Sequence, residues 1–369
     1  MKSKTFTIAA IGFALALSGC EIGPKKTEQT GPRGSGMNQI VDKSLIKPAA
    51  YIPPPPYPLE PDNGGPRAGE TYQNVKVLGD LSTDEFNRLM LSLNDWVVPK
   101  NASEERAGCN YCHNPENMAS DEIYTKGVAR QMILMTRNIN SNWKSHVQNT
   151  GVTCYTCHRG NAIPQYYWSN LKPQPASIRG NKHNQNTPDK AVGYASLPSN
   201  IYEPYFARAV DIRVGSKDAY RVTPTGAPIR NAEHTYGLMM RFSSALGVNC
   251  TYCHNSNNFG DWKSSRPQRV QAWYGIRMVR QANNEHITPI TSLFPPNRLG
   301  SQGDPFKINC MTCHQGVNKP LGGVSMLKDH PALAGVRGPK PVQTPSPAAT
   351  SPAIKPVASL INPAKVAQP

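Results

Sequence analysis

Four times the chain places two cysteines around a pair of residues and follows the second with histidine. The segments are Cys109-Asn110-Tyr111-Cys112-His113, Cys154-Tyr155-Thr156-Cys157-His158, Cys250-Thr251-Tyr252-Cys253-His254 and Cys310-Met311-Thr312-Cys313-His314. This spacing suits covalent haem attachment. Each thiol can add across one haem vinyl group to give a thioether. The two intervening residues, on a short helical turn, set the sulfurs against the two vinyls, and the next imidazole takes the proximal position on iron. One such segment alone could be a zinc site or a redox pair. Four of them point to four haem c groups, because Cys20 is the one other cysteine among nine. Zinc sites more often draw on cysteine pairs without a following histidine, and free dithiols in an oxidising compartment close into disulfides. On this reading no cysteine is left for a disulfide framework.

The sixth iron ligand decides what such a centre does. Two protein ligands leave an iron that only exchanges electrons, whereas an open position can bind and transform a small molecule. Methionines precede the first three segments on helix-like stretches: Met90 before His113, Met132 before His158 and Met239 before His254. Met135 shares a face with Met132 and Met240 adjoins Met239, so spacing leaves both choices open, and each methionine could equally be core. For the fourth segment His146, His286 and Met278 stand as near equals, with His183, His234 and His330 also free.

The elements that must hold these residues read as mainly helical. Ser82-Thr83-Asp84-Glu85 forms a capping box before Phe86, Leu89, Met90 and Leu93. Asp121-Glu122 opens a stretch with Val128, Met132, Met135 and Ile139 at helical spacing, Ala232 to Leu246 ends at Gly247, and Pro267 suits the first turn of a helix through Val279. Strand signals are weak throughout. Only 38% of residues are hydrophobic and 35 are proline, a thin apolar supply unless flat apolar cofactors fill part of the core. The fold expected is mainly α: a multihaem c-type cytochrome with two pseudo-symmetric two-haem halves and long irregular connections.

Segment boundaries follow composition. Residues 1–19 have the layout of an export signal, with Lys2 and Lys4 before an apolar run too short to span a bilayer. Leu17-Ser18-Gly19-Cys20 resembles the bacterial lipoprotein signal, which implies a lipidated Cys20 after cleavage. Residues 20–70 then form a Pro-rich extended segment, 71–165 a first two-haem half, 166–224 a connector, 225–330 a second half and 331–369 a Pro/Ala-rich tail. The formal charge of +16 is partly matched by haem propionates. No basic run with interleaved aromatics suggests a nucleic-acid groove.

Longer strings carry a family resemblance. They are Val75-Lys76-Val77-Leu78-Gly79, Gly151-Val152-Thr153-Cys154-Tyr155-Thr156-Cys157-His158-Arg159-Gly160, Gly275-Ile276-Arg277-Met278-Val279-Arg280 and Cys313-His314-Gln315-Gly316-Val317. Over about 71–330, and at Cys20, the chain resembles the tetrahaem cytochrome subunit of purple-bacterial photosynthetic reaction centres. The resemblance implies His/Met ligation for His113 with Met90, His158 with Met132 and His254 with Met239. It implies bis-His ligation for His314 with His146, a ligand lent by the first half. It further implies a lipid-anchored subunit on the periplasmic face of the photosynthetic membrane, bound to the L and M subunits and their bacteriochlorophyll. A soluble cytochrome or high-potential iron–sulfur protein would be the donor. The third-segment haem would lie nearest the photo-oxidised bacteriochlorophyll pair, the first-segment haem outermost, and potentials would alternate. Lys100 to Gly108 looks longer than the family pattern. An electron-transfer subunit, not an enzyme, is thus expected; a multihaem oxidoreductase would need an open iron, and a quinol-oxidising relay a membrane helix or quinol pocket.

Overall fold

The computed structural model describes residues 23–31, 37–62, 65–172, 184–210, 212 and 229–336. Cys20, the export signal, His183 and the chain beyond 336 lie outside them. In chain order the elements are β1 (Lys25–Gln29), β2 (Asn38–Asp42), α1 (Ala68–Thr71), α2 (Thr83–Val97), α3 (Tyr124–Asn142), α4 (Lys144–Val147), α5 (Cys154–His158), β3 (Tyr167–Trp168), α6 (Ile229–Leu246), α7 (Pro267–Gln281), β4 (Lys307–Ile308) and α8 (Cys310–His314). The two small sheets are antiparallel, Lys25 opposite Asp42 in one and Tyr167 opposite Ile308 in the other. Helix thus dominates, with single 3-10 and π turns between.

The helix ends follow their local chemistry. Ser82 caps α2 by accepting from the Glu85 amide, which satisfies one of the orphan N–H groups of the first turn. Pro267 occupies the first turn of α7. Gly247 ends α6 with φ +63°. A methyl group there would overlap the Gly316 carbonyl oxygen, because the end of α6 lies against the end of α8, where Gly316 N–H donates to Ala245 O at 2.8 Å. Gly247→Ala is therefore expected to cost at least about 2 kcal/mol, from the left-handed backbone and the forced separation together, read as a lowered thermal midpoint of the haem-loaded protein. Asp121, expected to open α3, does not cap it. Its carboxylate gathers Lys76, Arg130 and Lys126 instead, at 2.8, 2.8 and 3.4 Å, and these cations hold it well below the usual carboxylate range, Lys76 foremost.

Two apolar clusters form the core, and neither coincides with one half of the sequence. One joins Met135 and Ile139 of α3 to Leu238, Phe242, Ile276 and Val279, with Trp168, Ile201, Tyr205 and Phe206 from the connector. The other joins Leu89, Trp96, Ile133 and Tyr155 to Leu321, Met326 and Leu333. The connector expected to be irregular thus supplies aromatic core, and packing continues past residue 330: Ala332 and Leu333 are buried. Their carbonyls accept from Arg137 Nε and Asn140 Nδ2 at 2.9 and 2.8 Å. The 20–70 segment also differs from a plain extended chain, since it opens with the β1–β2 hairpin.

The C-terminal return carries a buried histidine. His330 is 3% exposed, packs edge-on against Trp96 at 4.6 Å and faces Arg88 Nη1 at 3.5 Å. Arginine can only donate, so His330 is held as the neutral acceptor. Burial first, and the Arg88 charge second, push its pKa down to about 4. The unfolded chain takes up this proton near 6.5 and the folded chain near 4, so stability is flat above 6.5 and falls as pH drops between them. The loss approaches about 3 kcal/mol by pH 4. Equilibrium or thermal unfolding across that window should show this slope, and His330→Gln should flatten it.

Candidate functional site

The helices and cysteine segments enclose one continuous cavity of about 1180 Å³, larger than the roughly 300–1,000 Å³ of ordinary ligand pockets. Its wall carries Cys109, Cys112, Cys154, Cys157, Cys253, Cys310 and Cys313, the imidazoles of His113, His158 and His314, and Met90, Met132 and His146. Met239, Cys250 and His254 do not line this cavity, although Tyr252 and Cys253 of the same segment do.

The four segments form two geometric kinds. The second and fourth, α5 and α8, are short helices with capping boxes, Thr153 with Thr156 and Asn309 with Thr312. Each ends on a left-handed residue followed by glycine, Arg159-Gly160 and Gln315-Gly316. Their histidines donate Nδ1–H to a carbonyl three residues on: His158 to Asn161 O at 2.8 Å and His314 to Val317 O at 3.0 Å. The first and third are 3-10 turns, Gly108–Tyr111 and Cys250–Tyr252. Their histidines donate to a carbonyl five residues on: His113 to Met118 O and His254 to Phe259 O, both at 3.0 Å. In every case Nδ1 carries the proton, which leaves Nε2 as a free lone pair, the state an iron ligand requires.

His146 has the same preparation. Its Nδ1 donates to Gln271 O at 2.9 Å, and its ring stands opposite His314 with centroids 6.1 Å apart. With a metal–nitrogen bond of about 2 Å and about 1.1 Å from nitrogen to ring centre, two imidazoles sharing one ion sit roughly 6 Å apart. Burial pushes the pKa of His146 down, and burial with the neighbouring His146 takes His314 to about 4, so both are neutral at physiological pH. His286 instead faces Gln131 Nε2 at 3.1 Å and does not line the cavity, while Met278 lines the cavity from the first core cluster. Among the methionine alternatives, Met135 lines the cavity beside Met132, and both pack in or against the first core cluster, whereas Met240 packs towards Gly193.

Four of the motif cysteines, Cys112, Cys154, Cys253 and Cys310, have thiol pKa values raised by burial. Burial pushes Cys154 and Cys310 up to about 12 and Cys253 to about 11. Thiolate metal sites and reactive redox pairs depress the thiol pKa instead. Among the described residues, no three His, Cys, Asp or Glu side chains gather into a metal-ion cage. Among the described residues three guanidinium nitrogens are buried without a partner: Arg106 Nε, Arg241 Nε and Arg266 Nη1. Arg106 and Arg266 each stack over the tyrosine of a cysteine segment at 5.5 Å, Arg106 on Tyr111 and Arg266 on Tyr252. Buried unpaired donors of this kind fit carboxylates such as haem propionates. The donor set, the raised thiol pKa values and the unpaired guanidinium nitrogens therefore fit covalently held haem.

One finding departs from the expectation that all eight motif cysteines serve haem and none is left for a disulfide framework. Cys157 and Cys313 are joined, with Cα atoms 4.3 Å apart. The reason is the side-by-side packing of α5 and α8, which turns the second cysteine of each towards the other. A sulfur in this bond cannot add to a vinyl group, so the disulfide and thioether states exclude one another at these two residues.

Sequence reasoning missed the N-terminal strap. Asn38 O accepts from Asn249 Nδ2 and Thr251 Oγ1, both at 2.8 Å. Lys47 Nζ then reaches Gln315 O at 2.5 Å, Tyr155 Oη reaches Tyr51 O at 3.0 Å, and Arg88 Nε reaches Tyr57 O at 2.8 Å. The strap thus touches the third segment, the fourth, the second and finally helix α2. The Tyr51 and Tyr57 flanks of the proline run were its one signal in the sequence. No described helix is long and apolar enough to cross a membrane.

Comparison with known families gives a match over residues 21–334 to the photosynthetic reaction centre cytochrome C subunit. The photosynthetic reaction center cytochrome c subunit of Rubrivivax gelatinosus is 48% identical over 90% of each chain. That of Thermochromatium tepidum is 47% identical over 87% of this chain and 78% of its own. That of Roseobacter denitrificans is 37% identical over 90% of this chain and 92% of its own.

Proposed function

Because the chain belongs to the family of photosynthetic reaction-centre cytochrome c subunits, we propose that it relays single electrons from a soluble periplasmic donor to the photo-oxidised bacteriochlorophyll pair held by the L and M subunits. The donor is a small cytochrome or a high-potential iron–sulfur protein. Four covalent haems would supply the one-electron iron couples. The eight motif cysteines would hold them as thioethers, which requires Cys157 and Cys313 to be reduced and apart, and His113, His158, His254 and His314 would provide the proximal nitrogens. Met90, Met132, Met239 and His146 would close the sixth positions in that order. The observation that carries this reading is the opposed His146–His314 pair, each Nδ1 tied to a backbone carbonyl and each Nε2 free. A saturated iron of this kind binds no substrate, which suits a relay.

Two further features support the arrangement. The likeness of the first segment to the third and of the second to the fourth supports two related two-haem halves, although their cores interlock. The α5–α8 contact and the order of strap contacts support the sequence third, fourth, second, first along the protein. Cys20 stands five positions before Lys25, so a lipid on it stays within about 17 Å of the hairpin. The hairpin packs on the third segment. The third segment then faces the membrane, and the first faces the periplasm, where a soluble donor arrives.

The reading is tested on the purified native subunit. Pyridine haemochrome analysis should give four haems per chain, and the reduced protein should bind no carbon monoxide. Fewer than four haems, or one carbon monoxide bound per chain, would favour a multihaem enzyme with an open iron instead.

A further inference from the structure

One of the four histidine acceptors differs from the others. Met118 O accepts from His113 Nδ1 at 3.0 Å and also from Lys126 Nζ at 2.9 Å. Among the described residues no lysine or arginine donates to Asn161 O, Phe259 O or Val317 O, the acceptors of His158, His254 and His314. Lys126 lies in the first turn of α3, and its remaining bonds go to Ala119 O at 2.9 Å and Ser120 O at 2.7 Å. Its side chain is 9% exposed. Burying an ammonium on three carbonyls is expensive in desolvation, and the Asp121 carboxylate at 3.4 Å offsets only part of the charge while it also serves Lys76 and Arg130.

We propose that Lys126 is a positioning residue that sets the electron affinity of the first-segment centre through His113. The proposal rests on the reading of His113 as a haem-iron ligand. An ammonium bonded to the Met118 carbonyl draws electron density from that oxygen. The oxygen then pulls less on the Nδ1 proton, and the imidazole becomes a poorer electron donor at Nε2. A poorer donor favours the reduced over the oxidised state, which is the outer-shell lever on a metal couple. The same ammonium fixes the 118–120 turn, so the acceptor cannot shift to relieve the effect. The first-segment centre is thereby held easier to reduce than its ligands alone would make it, at the end of the chain where electrons enter.

Spectroelectrochemical titration of the haem α-bands in the intact reaction-centre complex tests this. The first-segment component is assigned as the one moved by Met90→His. Lys126→Gln should make that component harder to reduce, with about a tenfold change in its electron-sharing constant against the other three, or 59 mV for a one-electron couple. Lys126→Arg should restore most of it. Lys76→Gln removes a cation from the same Asp121 that has no bond to Met118 O, and should move the component less than a third as far. Asp121→Asn leaves Lys126 less neutralised and should shift the component the opposite way, which keeps a readout if Lys126→Gln does not assemble. An unmoved first component, an equal shift in Lys76→Gln, or no recovery with arginine would overturn the proposal. A wild-type titration with fewer than four one-electron components would overturn the ligand reading beneath it.

Discussion

Replacing His146 by leucine is expected to turn one of four low-spin centres into a five-coordinate, high-spin one. Of the other candidates, His286 does not line the cavity and faces Gln131 of α3, and Met278, which does line it, is packed into the first core cluster. The reduced variant should therefore bind one carbon monoxide per chain where the native protein binds none. Loss of a strong axial nitrogen also moves that couple by far more than an outer-shell change does, so the affected component should leave the low-potential range altogether. Leucine is close to histidine in volume and removes a buried polar ring, so the fold should survive. Low-spin spectra and unchanged potentials in His146→Leu would show that the proposed fourth site takes its sixth ligand elsewhere.

Gly275→Ala should reproduce much of that effect without touching a ligand. Gly275 lies inside α7, where alanine ordinarily stabilises a helix by about 1 kcal/mol relative to glycine. Here its Cβ would stand 2.6 Å from His146 Cε1 and 2.8 Å from His146 Nδ1. The ring is fixed on the far side by His314 and above by the Gln271 carbonyl. Relief therefore requires α4 and α7 to part, or His146 to swing out and lose its Nδ1 bond. A destabilisation of about 2–3 kcal/mol with a partial high-spin signal is expected, opposite in sign to the helix propensity. A more stable, spectrally unchanged Gly275→Ala protein would mean that His146 is free to move.

How much of this could be read from the residues depended on how local the cause was. Ser82, Pro267 and Gly247 announce helix ends because each acts within its own turn, and all three stand where the sequence reading puts them. The cysteine segments announce themselves because thioether chemistry fixes their spacing. What stayed hidden depends on distant chain. The connector looks irregular, yet Tyr205 and Phe206 are core because α6 and α7 leave a gap that short periodicity cannot reveal. Asp121 reads as a helix opener, but three cations from two stretches claim its carboxylate first. Residues 331–333 look like the start of a tail, yet two side chains of α3 bind their carbonyls. The choice of His146 over His286 rested on family resemblance alone, since nothing near either residue says which will face His314. The carbonyl acceptors of the four imidazoles belong to the same class: a backbone oxygen three or five residues on carries no residue-type signal at all.

The most direct test of the relay is a flash experiment on membranes of the native organism, poised so that the haems are reduced. Absorbance is followed in the haem α-band and at the bacteriochlorophyll bleach. The account predicts that haem oxidation rises with the same time constant as the bleach recovers, and that Met239→Leu slows this first step more than the corresponding change at Met90 or Met132. Recovery of the bleach with every haem still reduced would contradict it.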